Sequence, residues 1–322
     1  MSRFVSWGTD AWLRRFGWAS LVANCLLVVT GGAVRLTASG LGCPTWPRCT
    51  DESFTPHGAL SMHSAIEFGN RTLTFVLAAV AVVTFVAAVQ SGRRELVRLA
   101  LIMGLAIPAQ AVIGGITVLT DLNPWVVSFH LLCSLAIIGV AVLFLWRVDR
   151  PGPSTGSGTS AGSGTSAGSG TSAGWGTSAG SGTSAGSGTS AGSGALVTLA
   201  WLTFAAAWVV LYVGTVVTGS GPHAGDVKAP RNGLDPLQLS QLHADVVFLL
   251  LGLTVALVVV TRSRAAWALL WIELGQGLVG FVQYFTDLPE LLVGIHMLGA
   301  ALVSTAVTWA LLDTRSRAAV AE

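Results

Sequence analysis

Four histidines, His63, His130, His243 and His296, each stand near one end of a long apolar segment in a chain that is 52% hydrophobic and only 10% charged. Imidazole is a common metal ligand and the usual axial ligand of haem iron. In hydrocarbon it is costly without a task, so the placement of the four is the best clue to function. One carboxylate joins them. His63, Glu67, Asn70 and Arg71 stand at i, i+4, i+7 and i+8 of one segment. On a helix the first three share a face, and His63 and Asn70 lie about 10 Å apart along the axis. A carboxylate in the middle of a membrane helix costs roughly 2.5 to 3.5 kcal/mol on insertion scales, so it needs a partner or a use. Glu67 and Arg71 have the favourable order for an i, i+4 ion pair. Alternatively, Glu67 is an acid/base group beside a bound ligand, with Arg71 holding a ligand carboxylate or modulating Glu67.

Two of the histidines occupy matching points of an internal repeat. Gln110-Ala-Val-Ile-Gly114 runs through Thr120-Asp121-Leu122 to His130, and Gln276-Gly-Leu-Val-Gly280 runs through Thr286-Asp287-Leu288 to His296. The registers agree without a gap, with seven of 21 positions identical. Lipid-facing positions drift freely among apolar types, so a shared Thr-Asp-Leu corner and a shared His mark a duplication. The halves differ in chemistry. Beside His243 stands only Asp245, with no counterpart of the Glu67 and Arg71 pair, which makes the first half the better candidate for catalysis.

The elements that must position these residues follow from hydropathy. The mean hydropathy of +0.70 belongs to a polytopic membrane protein. Spanning the hydrocarbon takes about 20 apolar residues. Eight runs are long enough, at 16–36, 62–90, 99–119, 125–146, 195–217, 241–260, 265–285 and 291–312. All are too long for strands, and helices satisfy their own backbone in lipid. The expected fold is all-α, eight transmembrane helices arranged as two pseudo-symmetric four-helix bundles. The first run does not read as a cleaved signal, since Arg35 follows at its far end with no small-residue cleavage site. Alternate loops carry twelve Lys and Arg on one side and four on the other, which places both termini in the cytoplasm and the four histidines in the outer leaflet. The net charge of +2 reflects that asymmetry, and no basic cluster interleaved with aromatics points to nucleic acid. Between the halves, 159–194 repeats a Thr-Ser-Ala-Gly-Ser-Gly hexad, interrupted at Trp175. Such a composition lacks the apolar area to offset ordering, so 151–194 reads as a flexible cytoplasmic tether between an N-terminal half (1–150) and a C-terminal half (195–322).

Cys25 and Cys133 fall inside helices and read as small buried residues. Cys43 and Cys49 share the first outer loop, Gly42-Cys43-Pro44-Thr45-Trp46-Pro47-Arg48-Cys49. They read as a structural disulfide or as a redox-active pair. Zinc would need two more ligands; His57 is nearby, but no fourth is evident. His223 lies in the corresponding loop of the second half and reads as loop architecture.

These residues resemble the haem A synthases of aerobic bacteria and mitochondria. The resembling stretches are Thr30 to Cys49, Ile66-Glu-Phe-Gly-Asn-Arg71, Gly221-Pro-His-Ala-Gly225, Gln241-Leu-His243 and Leu291 to His296. The resemblance implies an oxidoreductase of the bacterial plasma membrane that converts haem O to haem A, oxidising a ring methyl to a formyl group by successive hydroxylations. By position, His243 and His296 resemble the axial ligands of a resident haem b, and Glu67 the essential carboxylate. His130 resembles one of two substrate-site histidines, and Cys43 and Cys49 the outer-loop cysteine pair. One position departs from the family pattern: Asn70, followed by Arg71, stands where a histidine is expected. His63, two turns away on the same face, is either a substitute ligand or a polar residue at the membrane boundary. The partners implied are haem O, a haem O synthase, an unidentified electron donor, membrane lipid and a second copy of the chain. A di-haem cytochrome b-like carrier explains the histidines but gives Glu67 no task. A haem transporter of the inverted-repeat kind is disfavoured, because four helices per half make the repeats parallel.

Overall fold

The computed structural model describes residues 7–55, 62–150 and 188–321. It contains α1 (Asp10–Leu36), α2 (Met62–Gln90), α3 (Arg94–Leu119), α4 (Pro124–Asp149), α5 (Gly188–Ser220), α6 (Pro236–Thr261), α7 (Arg264–Phe285) and α8 (Glu290–Ala321). All eight are long and apolar enough to cross a membrane. Large side chains on them stay bare of protein, among them Phe75 (76% exposed), Leu291 (75%) and Leu278 (67%). Lipid covers such groups without the cost of about 1.5 to 3 kcal/mol each that water would impose. The molecule is an all-α polytopic membrane protein.

The helices outrun the apolar windows. α1 starts at Asp10, whose charge suits a helix N-terminus, and α8 continues to Ala321. α5 begins at Gly188, inside the segment expected to be a flexible tether. Extending an established helix adds one hydrogen bond per residue fixed, so the Thr, Ser and Ala of 188–194 follow it. The rest of the tether, 151–187, lies outside the described residues, as does His57.

In the first group of helices, α1 packs on α2 and α4, and α3 packs on the same two, so α2 and α4 are diagonal. In the second, α5 and α7 each pack on α6 and α8. The groups meet where α8 lies against α1 and α4, and α4 against α5. Small residues let these backbones approach, as membrane helices without a hydrophobic drive between them require. Ala141, Ala301, Ala306 and Ala310 are at most 2% exposed. Ser304 donates its hydroxyl to the Leu135 carbonyl at 2.8 Å across the seam.

At the end of the bundle that carries the histidines, the loops interlock. Arg35 donates from Nε to the His223 carbonyl (2.6 Å) and from Nη2 to the Thr218 carbonyl (2.9 Å). The Gly40 amide donates to the Gly225 carbonyl at 2.8 Å. Gly225 has φ +103°, and a Cβ there would sit 3.0 Å from Leu122, so this crossing needs glycine. His223 lies 2.9 Å from the Leu288 carbonyl through Nε2, a loop contact as read from the sequence.

The repeated Thr-Asp-Leu corner now has a cause. Asp121 and Leu122 have φ of 50° and 60°, Asp287 and Leu288 of 58° and 57°. Two successive left-handed residues reverse the chain, and the Leu amide closes each corner on a carbonyl five residues back, Thr117 or Gln283. This connection fixes α3 against α4 and α7 against α8.

Candidate active site

Three imidazoles are each backed by a glycine on the preceding helix. A Cβ added at Gly114 would lie 3.3 Å from Cε1 of His130, at Gly214 3.1 Å from Cε1 of His243, and at Gly280 3.5 Å from Cε1 of His296. A side chain at Gly114 or Gly214 would press on the ring, and one at Gly280 would sit in contact with it. The repeated glutamines lock the same histidines through the main chain: Gln110 Nε2 donates to the His130 carbonyl (3.3 Å), Gln276 Nε2 to the His296 carbonyl (2.8 Å). Gln, Gly and His of the duplicated stretch therefore form one contact unit in each half. The Nδ1 atoms of His130, His243 and His296 are buried with no protein partner.

His243 on α6 and His296 on α8 face each other with ring centroids 6.4 Å apart and planes at 74°. That gap suits one metal ion with a nitrogen–metal bond of about 2 Å on either side. Two adjacent imidazoles whose Nδ1 atoms have no protein partner fit a porphyrin iron, and these two residues would hold it.

The first half is built differently. Glu67 is 5% exposed and its oxygens are taken by protein. Oε1 accepts from Arg71 Nη2 at 2.6 Å, and Oε2 from the Cys43 amide at 2.6 Å. Arg71 also donates to the carbonyls of Cys43 (3.1 Å), Thr45 (3.2 Å) and Arg48 (3.3 Å). Cys43 and Cys49 are joined in a disulfide and are buried. Glu67 and Arg71 thus make the helix ion pair and together grip the disulfide loop. The loop reaches on to α3, where a Cβ at Gly115 would collide with the Trp46 ring. It also sits tight on the start of α2, where a Cβ at Gly42 would meet the His63 carbonyl at 2.6 Å.

Of the other residues picked out by sequence, Asn70 accepts from the Thr30 hydroxyl at 2.8 Å, tying α2 to α1. His63 is exposed, with Nδ1 3.0 Å from the Ser39 hydroxyl. Sequence reasoning missed Trp46 as a contact of α3, because nothing in a loop sequence names the helix it will cover. It also missed Glu273 on α7, which is 6% exposed, accepts from the Thr254 hydroxyl at 2.8 Å through Oε1 and leaves Oε2 buried without a partner. Its signal was available: a lone acid in the apolar run Trp271-Ile-Glu-Leu274.

The model of the cytochrome oxidase assembly protein family, COX15-CtaA, matches residues 14–225, well over half of the chain. The chain belongs to this family. The match takes in His63, Glu67, Asn70, Arg71, both loop cysteines and His130, and ends before His243 and His296. A protein described as heme A synthase from Geobacillus thermodenitrificans is 28% identical over 154 residues, covering 46% of this chain and 47% of the relative. Another heme A synthase, from Staphylococcus epidermidis, is 27% identical over 135 residues, covering 41% and 43%. A protoheme IX farnesyltransferase from Haloarcula marismortui is 30% identical over 133 residues, covering 41% and 28%. The chain spans about half the length of the heme A synthases it matches. Within the matched residues, His130 behind Gly114 and the clamped Glu67 are the features that call for a chemical role.

Proposed function

We propose that this protein is a haem A synthase, a membrane oxidoreductase that oxidises a ring methyl of haem O to a formyl group by two successive hydroxylations and loss of water. The observation that carries this reading is the inequality of the two histidine sites within one family member. His243 and His296 face each other as a plain ligand pair, whereas His130 shares its half with a buried acid, an arginine and a disulfide loop. A purely electron-carrying protein has no use for that second arrangement.

The helices form two pseudo-symmetric four-helix units, 1–150 and 195–322, joined by the tether. The histidine ends lie in the outer leaflet of a bacterial plasma membrane, with both termini cytoplasmic. Substrate haem O enters from the bilayer and is held by His130 from α4, with Gly114 leaving room for the ring. Asn70 and His63 offer the facing polar groups from α2. Glu67 handles protons during methyl oxidation. The oxygen that would take a proton now receives the Cys43 N–H, so proton uptake and loop position are linked. Arg71 keeps the carboxylate oriented, and Trp46 closes the loop over α3 to exclude water. Haem b, when bound by His243 and His296, supplies one-electron transfer. Each hydroxylation takes dioxygen as the oxidant: one oxygen atom enters the methyl group, and two electrons from an external donor with two protons carry the other away as water. A haem O synthase in the same membrane supplies the substrate.

The test is to express the full chain in cells that make haem O and to separate the extracted pigments by chromatography. Formyl haem should appear only with the protein present. Folded protein carrying haem b but yielding no formyl haem would leave the di-haem carrier as the better reading.

A further inference from the structure

The helix ends opposite the histidines build a basic hollow that haem chemistry does not use. It is an open recess of about 470 Å³ lined by Arg150, Arg262, Arg264, Arg317, Asp313, Trp146 and Trp309. Three parts of the chain meet there: the end of α4, the turn between α6 and α7, and the last turns of α8. The hollow thus straddles the seam between the two groups of helices.

Its charge is not balanced from within. Asp313 is 8% exposed and is already shared, with Arg317 Nε at 2.7 Å and Arg150 Nη2 at 4.0 Å. Arg150 also stacks 3.6 Å over Trp146 and donates to the Ser316 hydroxyl at 3.0 Å. Arg262 and Arg264 make no ion pair among the described residues. They flank Ser263, whose hydroxyl accepts the Ala266 amide at 3.1 Å and whose side chain caps α7. Four guanidiniums around one occupied carboxylate repel one another unless an anion joins them. Guanidinium favours phosphate because its planar fork matches two oxygens at once. Tryptophan favours the boundary between hydrocarbon and water. A recess with both, between membrane helices, has the chemistry of a headgroup site.

We propose that this hollow binds the phosphate headgroup of an anionic phospholipid, seated across the seam between α4 and α8. The site is independent of the haem reading and stands or falls without it. The full chain, purified in neutral detergent, is titrated with dioleoyl phosphatidylglycerol and read by native mass spectrometry, with dioleoyl phosphatidylcholine and inorganic phosphate as comparison probes. Phosphatidylglycerol should be retained and phosphatidylcholine lost. The pair Arg262→Gln and Arg264→Gln should weaken retention roughly tenfold. Arg264→Gln alone, the milder change should the pair fold poorly, should give a smaller loss. Arg315→Gln removes a charge from the same helix end at a residue outside the hollow, near Trp201, and should leave retention unchanged. Equal loss with Arg315→Gln, equal retention of both lipids, or no change in the paired variant overturns the site. Displacement by millimolar inorganic phosphate overturns the lipid as its source.

Discussion

Glu67 and Glu273 are buried to the same degree, 5% and 6% exposed, in helices of the two halves, yet their surroundings are opposite. Glu67 has an arginine on one oxygen and a main-chain amide on the other, and through them it holds a loop. Glu273 has one threonine hydroxyl and a bare second oxygen. An ionised carboxylate in an apolar interior needs a counter-charge and donors, and only Glu67 is given them. Depth alone therefore does not set the state of a buried acid; the groups around it do. The histidines make the complementary contrast, a facing pair in the second half and one glycine-backed ring in the first.

The sharpest way to break this contrast is Glu67→Ala. It should reduce haem A formation by roughly a hundredfold to ten-thousandfold, the range of a lost acid/base group, while bound haem b persists. Product analysis beside an absorption spectrum measures both, and continued haem A production would remove Glu67 from the mechanism. Next comes His296→Ala, expected to abolish the low-spin haem b spectrum; an unchanged spectrum rejects the ligand assignment. Crowding the rings gives a graded version. Gly214→Val should lower haem b content while sparing the first half, and Gly114→Val should lower haem A yield at normal haem b content. Both effects in either variant would mean the sites are not separate. The smallest change is expected from Glu273→Leu. It gives up one hydroxyl contact, worth about 0.6 kcal/mol on average between membrane helices, and should leave haem A yield within about twofold. A loss as deep as that of Glu67→Ala would overturn the comparison.

The eight long helices among the described residues were legible in hydropathy because eight apolar runs each match the hydrocarbon thickness. The repeat was legible because its shared residues are those that touch: Gln110 reaches His130 as Gln276 reaches His296, and each glycine lies against its histidine ring. Neighbourhood was not legible. Periodicity does not say that Trp46 will land on Gly115 or that Arg35 will cross to the other half, since both are set by tertiary packing of loops with no regular pattern. Helix ends were read short for a related reason. Apolar windows stop where polar residues begin, whereas the backbone ladder of α5 carries on to Gly188.

Arg35 grips only main-chain oxygens of the facing loop, at Thr218 and His223, and Gly40 does the same at Gly225. Recognition of this kind is indifferent to what side chains the gripped loop displays. The exposed Val227, Lys228 and Pro230 can be rewritten, even to carry a fluorophore, without releasing the Arg35 and Gly40 contacts, provided that Gly225 keeps its bend and Ala229 and Asn232 stay in place.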